Sequence, residues 1–180
     1  VNEPGADDWG AIDTLGDATA LQGIDLSLAR FIDLNDDKRV DLLLSSSATT
    51  TFYENTGDTF TAQEVDPLGV AIQADSALQF ADMNGDGLND PVELRADGSV
   101  RYRLNYGLGN WSDWRTVTGL SLTTTQRDRA DLEDLNGDGI ADVVIVDDGQ
   151  IQYAINANGE SFESMVMITS SDIDGATIPD

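Results

Sequence analysis

Three short stretches carry oxygen-bearing side chains at alternate positions: Asp33, Asn35, Asp37 and Asp41; Asp82, Asn84, Asp86 and Asp90; Asp134, Asn136, Asp138 and Asp142. Each reads D-x-N-x-D-x-x-x-D. A hard cation such as calcium takes six to eight oxygen ligands at about 2.3 to 2.6 Å, and a short loop supplies them by turning alternate residues inward. Positions 1, 3, 5 and 9 are expected to give side-chain oxygens. Position 7 is expected to give its backbone carbonyl, which leaves its side chain free to vary as Arg39, Leu88 and Ile140. Gly87 and Gly139 at position 6 permit the sharp bend that brings position 9 back towards position 1. Without a cation the carboxylates of one loop repel one another. The spacing therefore predicts calcium, about three ions, one in each loop.

Other chemistry is narrowed by what the chain lacks. Its 180 residues contain no Cys and no His, so thiolate or imidazole zinc sites, Ser-His-Asp triads and Cys-His dyads are excluded. Nine Lys and Arg stand against 34 Asp and Glu, a net charge of −25, which gives phosphate backbones no electrostatic support and argues against nucleic acid as a partner. Neighbouring acids such as Asp7 with Asp8, Glu133 with Asp134, and Asp147 with Asp148 do not read as general acid and base. Nothing marks an apolar pocket to tune one of them, and neighbours along a strand point to opposite faces. No enzymatic activity is expected. No apolar run is long enough for a membrane span.

The elements that must hold these loops repeat with them. The first Asp recurs at intervals of 49 and 52 residues, the range of propeller blades. Beyond each loop comes an aromatic, read as Tyr53, Tyr102 and Tyr153, then an Asn and Gly that mark a tight turn, then a large aromatic: Asn55, Gly57 and Phe60; Asn105, Gly107 and Trp111; Asn156, Gly159 and Phe162. Each unit reads as a short apolar strand, the acidic loop, a second strand (VDLLLSS, DPVELRA, DVVIVDD), a third (TTFYEN, SVRYRLN, QIQYAIN) and a fourth (FTAQEV, WSDWRTV, SFESMVM). The Thr runs at 49–51 and 123–125 read as strand and linker. Trp111 shares its repeat position with Phe60 and Phe162 and so reads as a packing residue rather than a sugar platform. Loop 2 also satisfies the EF-hand pattern through Glu93 at position 12, but Pro91 and the alternating strand that follows exclude the flanking helix, and the equivalent positions are Leu44 and Ile145.

Over roughly residues 24–168 the units resemble FG-GAP or VCBS-type repeats, the calcium-loop blades of integrin alpha-subunit propellers and of many secreted bacterial proteins. DMNGDGLND and DLNGDGIAD match the DxNGDGxxD pattern; DLNDDKRVD replaces both glycines with Asp36 and Lys38, which implies weaker binding at loop 1. The resemblance implies an all-β, propeller-type array of four-stranded antiparallel blades. The expected division is 1–23 (last strand of a preceding blade plus linker), 24–68 (blade 1), 69–120 (blade 2), 121–168 (blade 3) and 169–180 (tail). In the tail, Asp172–Asp180 is a weak fourth loop that carries Ala176 at position 5 and arrives ahead of the period. Three units do not close a ring of four to eight blades, so an oligomer, a filament or neighbouring blades of a longer chain are expected.

The implied function is a non-catalytic, extracellular or cell-surface module for adhesion, assembly or scaffolding with other protein subunits. LQFADMNGDGLND and VRYRLNYGLGNW are also similar to blade regions of toxin-complex B components and SpvB-type toxins, which implies a docking or shell-wall role. Fungal propellers of this repeat type that bind sugars imply glycans as a further partner class.

Overall fold

The computed structural model describes residues 29–45, 50–63, 77–107, 110–147 and 149–169. Three four-stranded antiparallel sheets follow one another along the chain. The first holds β1 (Ala29–Ile32), β2 (Asp41–Ser45), β3 (Thr50–Asn55) and β4 (Phe60–Gln63) in sequence order. The second holds β5 (Ala77–Ala81), β6 (Asp90–Leu94), β7 (Val100–Tyr102) and β8 (Arg115–Val117), again in sequence order. In the third, β9 (Ala130–Glu133), β10 (Asp142–Asp147) and β11 (Gln150–Ala154) are joined at the edge by β14 (Val166–Thr169). Between them, β12 (Asn156–Ala157) and β13 (Ser161–Phe162) form a separate two-stranded ribbon.

Register decides which residues are equivalent. Leu43 lies opposite Phe52, Val92 opposite Tyr102, and Val144 opposite Tyr153. The aromatic that matches Tyr102 and Tyr153 is therefore Phe52 and not Tyr53 as the sequence suggested. A slip of one residue reverses the face, and Tyr53 packs with Leu42 and Leu44 on the other side of its sheet. The large aromatic after the turn opposes the Asn in every unit: Asn55 with Phe60, Asn105 with Trp111, Asn156 with Phe162.

Two further expectations are corrected. The fourth strand runs on directly from Phe60 in the first sheet, but in the second and third it resumes only at Arg115 and Val166, some residues after the aromatic that pairs with the Asn. The Thr run at 123–125 opens a short helix, α1 (Thr124–Arg129), rather than a linker. Thr123 accepts the Gln126 N–H while the Gln126 side chain returns to the Thr123 N–H, a capping box hidden in a polar stretch without apolar periodicity. The expected leading strand at 1–23 and the tail loop at Asp172–Asp180 lie outside the described residues.

Consecutive sheets pack face to face. Leu43 and Phe52 of the first meet Leu78, Phe80 and Trp111 of the second, which places Trp111 in the packing role expected of it. The larger core joins the second sheet to the third: Val92, Leu94, Val100, Tyr102 and Val117 on one side, Ala130, Val143, Ile145, Ala154 and Phe162 on the other. Backbone bonds reinforce this joint, with Phe162 N–H donating to the Thr118 carbonyl at 2.8 Å and Ala141 N–H to the Asp82 carbonyl at 2.7 Å. Gly119, at φ +85, passes so close to the Phe162 carbonyl that no side chain fits there. The inner strands β1, β5 and β9 surround a cavity of about 510 Å³ lined by Arg30, Gln79, Phe80, Asp131 and Glu133 among others.

Phe162 is only 4% exposed. Phe162→Ala is expected to cost about 3 to 4 kcal/mol, read from the urea midpoint, as is usual for a large aromatic deleted from a core. Phe31→Ala, at a residue 68% exposed, is expected to stay within about 0.5 kcal/mol of the parent.

Candidate metal centre

Each acidic loop connects the first and second strands of its sheet. The position-1 carboxylate organises it. Asp82 accepts the N–H groups of Gly85 (2.7 Å), Asp86 (3.2 Å) and Gly87 (2.6 Å). Asp134 accepts those of Gly137 (2.7 Å), Asp138 (3.2 Å) and Gly139 (3.0 Å), and Asp33 those of Asp37 (3.2 Å) and Lys38 (2.9 Å). The position-5 carboxylates Asp37, Asp86 and Asp138 take the N–H of position 7, from Arg39, Leu88 and Ile140, at 2.8, 2.9 and 2.8 Å. The position-3 side chains Asn35, Asn84 and Asn136 reach position 5 at 3.4, 2.9 and 2.8 Å. Positions 1, 3 and 5 are thus drawn to one centre by the loop's own backbone.

Position 9 carries a structural role besides the ligand role expected of it. Asp41, Asp90 and Asp142 are fully buried, and each carboxylate spans two backbone amides. One oxygen accepts the N–H of position 2, from Leu34, Met83 or Leu135, at 3.1, 3.0 and 3.2 Å. The other accepts the N–H of the turn asparagine, Asn55, Asn105 or Asn156, at 2.9, 2.7 and 2.8 Å. These asparagines do more than mark a turn. Each amide nitrogen donates to the carbonyl of position 8, at Val40, Asn89 and Ala141, while each amide oxygen accepts from Gly57, Gly107 or Gly159. Their constant separation of 14 or 15 residues from position 9 is the signal that identifies this clasp in the sequence.

The position-7 side chains divide as their chemistry suggests. Ile140 is buried and approaches Gly85 of the preceding loop, Leu88 is half-buried, and Arg39 donates to the Asn55 carbonyl at 2.6 Å and pairs with Asp37. Loop 1 keeps the backbone of the other two despite lacking their glycines: Asp36 and Lys38 stand at φ 61 and 69, where Gly85 and Gly87 stand at 79 and 84. Lys38 and Asp36 form an ion pair. Glu93, the EF-hand-like position 12, is buried in β6 and paired with Arg101, whose guanidinium lies 4.3 Å over the Trp114 ring. The only helix among the described residues is α1, separated from its loop by β9, so no EF-hand is formed.

Electrostatics set the limits of this arrangement. Burial pushes the carboxyl of Asp90 up to about 7; the amides of Asn105 and Met83 oppose the rise, and the charges of Asp86 and Asp82 add to it. Asp41 and Asp142 are raised by burial in the same way. Among the described residues no three acidic side chains stand close enough to share one metal ion. Position 9 is held by backbone amides, and position 3 is an asparagine whose amide nitrogen faces the position-5 carboxylate. The donor set still suits a hard cation, because two carboxylates and an amide side chain converge on a loop whose glycines free the carbonyl of position 7.

Sheets, loops and clasps together define the class: the chain belongs to the FG-GAP-like repeat family, whose sequence model matches residues 33–92 and 134–180. Its four-stranded antiparallel sheets are propeller-type blades, as the solved structures it resembles show. It is 25% identical to a chain of the Photorhabdus luminescens Tc holotoxin pore, with a TM-score of 0.67 over 84% of this chain and 7% of that one. A likeness in fold alone, at 22% identity and a TM-score of 0.61, links it to an Agrocybe aegerita lectin that recognises non-reducing terminal N-acetylglucosamine, over 83% of this chain and 40% of that one. TcdB2-TccC3 matches 99% of this chain and 11% of its own at 18% identity and a TM-score of 0.52. The chain therefore spans well under two thirds of each of these proteins. No curated protein matches it.

In chelator, Asp90→Ala is expected to cost about 2 to 4 kcal/mol, since it strands two buried amides, whereas Asp86→Ala, at an exposed position, stays within about 1 kcal/mol. The raised carboxyl also fixes a sign. Between its ordinary 3.8 and about 7 the folded state holds a proton that the unfolded state has released, so the contribution of Asp90 is full below 3.8 and lost as pH rises to 7. Denaturation in chelator across that window is expected to show the parent losing stability relative to Asp90→Asn. In loop 1, Lys38→Gly is expected to add about 1 kcal/mol by relieving a left-handed backbone.

Proposed function

We propose that this chain is a non-catalytic, calcium-stabilised blade array that acts through assembly with other protein subunits. The observation that carries the reading is the threefold recurrence of one loop, in which Asp, Asn and Asp at positions 1, 3 and 5 converge beside a buried position-9 carboxylate. In loop 2 calcium would be held by Asp82, Asn84 and Asp86 with the carbonyl of Leu88, and in loop 3 by Asp134, Asn136 and Asp138 with that of Ile140. Asp90 and Asp142 would complete the negative field from behind. Bound calcium supplies charge compensation to these loops. Loop 1, with Asp33, Asn35, Asp37 and the carbonyl of Arg39 and with Asp41 behind them, is the weakest of the three. Its Asp37 is already paired with Arg39, and Lys38 stands beside Asp36. Sites of this open, loop-borne kind suit the millimolar calcium outside cells, which supports an extracellular setting.

For the biological role, the 25% identity to a chain of the Tc holotoxin pore over 84% of this chain favours a propeller section of a multi-subunit secreted toxin over general adhesion. The lectin likeness supports the fold only, and glycan binding is the secondary reading. No helix among the described residues is long and apolar enough to cross a membrane.

Calcium titration tests the reading directly. A ligand bound only by the folded state adds about 2.7 kcal/mol per site at a hundredfold excess over Kd, so the melting temperature is expected to rise well above its value in chelator. Asp82→Ala and Asp134→Ala should each remove part of the rise. Superimposed melting curves with and without calcium would rule calcium out as a structural ligand.

A further inference from the structure

Loops 2 and 3 are joined through one peptide group. The Ala141 N–H, at position 8 of loop 3, donates to the carbonyl of Asp82, at position 1 of loop 2, at 2.7 Å. The same peptide group carries the Ile140 carbonyl, which the calcium reading assigns to the ion of loop 3. The peptide is trans, so this carbonyl faces away from the bond to Asp82, at the opposite side of one rigid plane. Side chains support the contact. Ile140 is buried and lies 3.4 Å from the place a Cβ on Gly85 would take, and the Asn156 amide nitrogen stands 3.1 Å from the Ala141 carbonyl and 4.0 Å from the Met83 sulfur. Loop 1 meets the second blade by another route, the Asn105 side-chain amide donating to the Leu34 carbonyl at 3.0 Å. Among the described residues no backbone hydrogen bond joins loop 1 to loop 2.

We propose that loops 2 and 3 bind calcium as a coupled pair, each raising the affinity of the other through the peptide group between Ile140 and Ala141. The inference rests on the calcium reading above and adds a regulation to it. A carbonyl drawn to a cation polarises its own peptide group, so the Ala141 N–H becomes a stronger donor to Asp82. The Asp82 carboxylate gathers the N–H groups of Gly85, Asp86 and Gly87, so fixing the Asp82 backbone orders loop 2 before its own ion arrives. The effect runs equally in reverse, because a coupling free energy between two binding sites is reciprocal. Electrostatics alone give the opposite sign: filling loop 3 adds positive charge beside loop 2 and weakens its attraction for a second cation, an effect that salt screens. The sign of the coupling therefore separates the two causes.

Calcium chloride is titrated into the isotope-labelled chain and followed by amide nuclear magnetic resonance. The signals of Gly87 and Gly139 report loops 2 and 3, since each N–H donates to the position-1 carboxylate of its own loop. In the parent both signals are expected to move over one calcium range with a Hill coefficient above about 1.2. In Asp134→Ala the Kd read at Gly87 is expected to rise at least about fivefold, and in Asp82→Ala the Kd read at Gly139 by a similar factor. Asp33→Ala is expected to abolish binding at loop 1 and to change the Kd at Gly87 by less than about twofold, because that loop lacks the backbone bond. The Ala141 amide is expected to exchange with solvent more slowly in calcium than in chelator, and to lose this difference in Asp134→Ala. A Kd at Gly87 that is unchanged or tighter in Asp134→Ala overturns the coupling while calcium binding stands. A loss from Asp33→Ala as large as that from Asp134→Ala overturns the route through Ala141. Where a variant fails to fold, as its amide spectrum in chelator shows, the parent decides: Hill coefficients of about 1 at both glycines overturn the coupling. Signals in the parent that do not move with calcium overturn the calcium reading itself, and this inference with it.

Discussion

A buried carboxylate that bridges two strands is the constraint on which each blade depends. Asp41, Asp90 and Asp142 sit at the start of the second strand with no exposed surface, and each is held by one amide from the acidic loop and one from the end of the third strand. Burying a charge is costly unless hydrogen bonds replace its water, and the two amides do so only when loop and turn are both in place. The turn asparagine closes the circuit by bonding back to the residue before the carboxylate. Loop, second strand and third strand therefore form together or not at all. The aromatic opposite the asparagine is aimed at the preceding blade by the same geometry.

That circuit carries an electrostatic debt. Every loop gathers its formal charges beside a carboxylate that burial already disfavours, in a chain of net charge −25. Adding six positive charges from three calcium ions would leave −19. The loops differ in how far they compensate themselves. Loop 1 sets Lys38 and Arg39 against Asp36 and Asp37, and it tolerates two left-handed residues that are not glycine in order to keep its shape. Loops 2 and 3 have glycine at those positions and no cationic side chain of their own.

Stacking of blades explains why the array is directional. Each joint sets the apolar side of one sheet against the aromatic and inner strand of the next, and the second joint adds backbone bonds between Thr118 and Phe162 that only a backbone as bare as Gly119 permits.

Much of this was legible without coordinates. The D-x-N-x-D-x-x-x-D loops, their period, the four strands of each unit and the packing role of Trp111 follow from spacing, because local turn geometry and alternation are written in residues close together in the chain. The register was not legible: Tyr53 looks equivalent to Tyr102 and Tyr153, and only strand pairing shows that Phe52 takes their place. The role of position 9 was also hidden, since its second partner lies 14 or 15 residues away and is a backbone amide, which no residue type announces. The short helix at Thr124–Arg129 was announced only by its local capping box, without apolar periodicity, and the exposure of Val146 beside the burial of Leu94 depends on what neighbours each segment in space. Sequence alone determined the repeating chemistry; tertiary structure decided which face of each strand meets another blade, because period-two alternation defines two faces but does not say which one is covered.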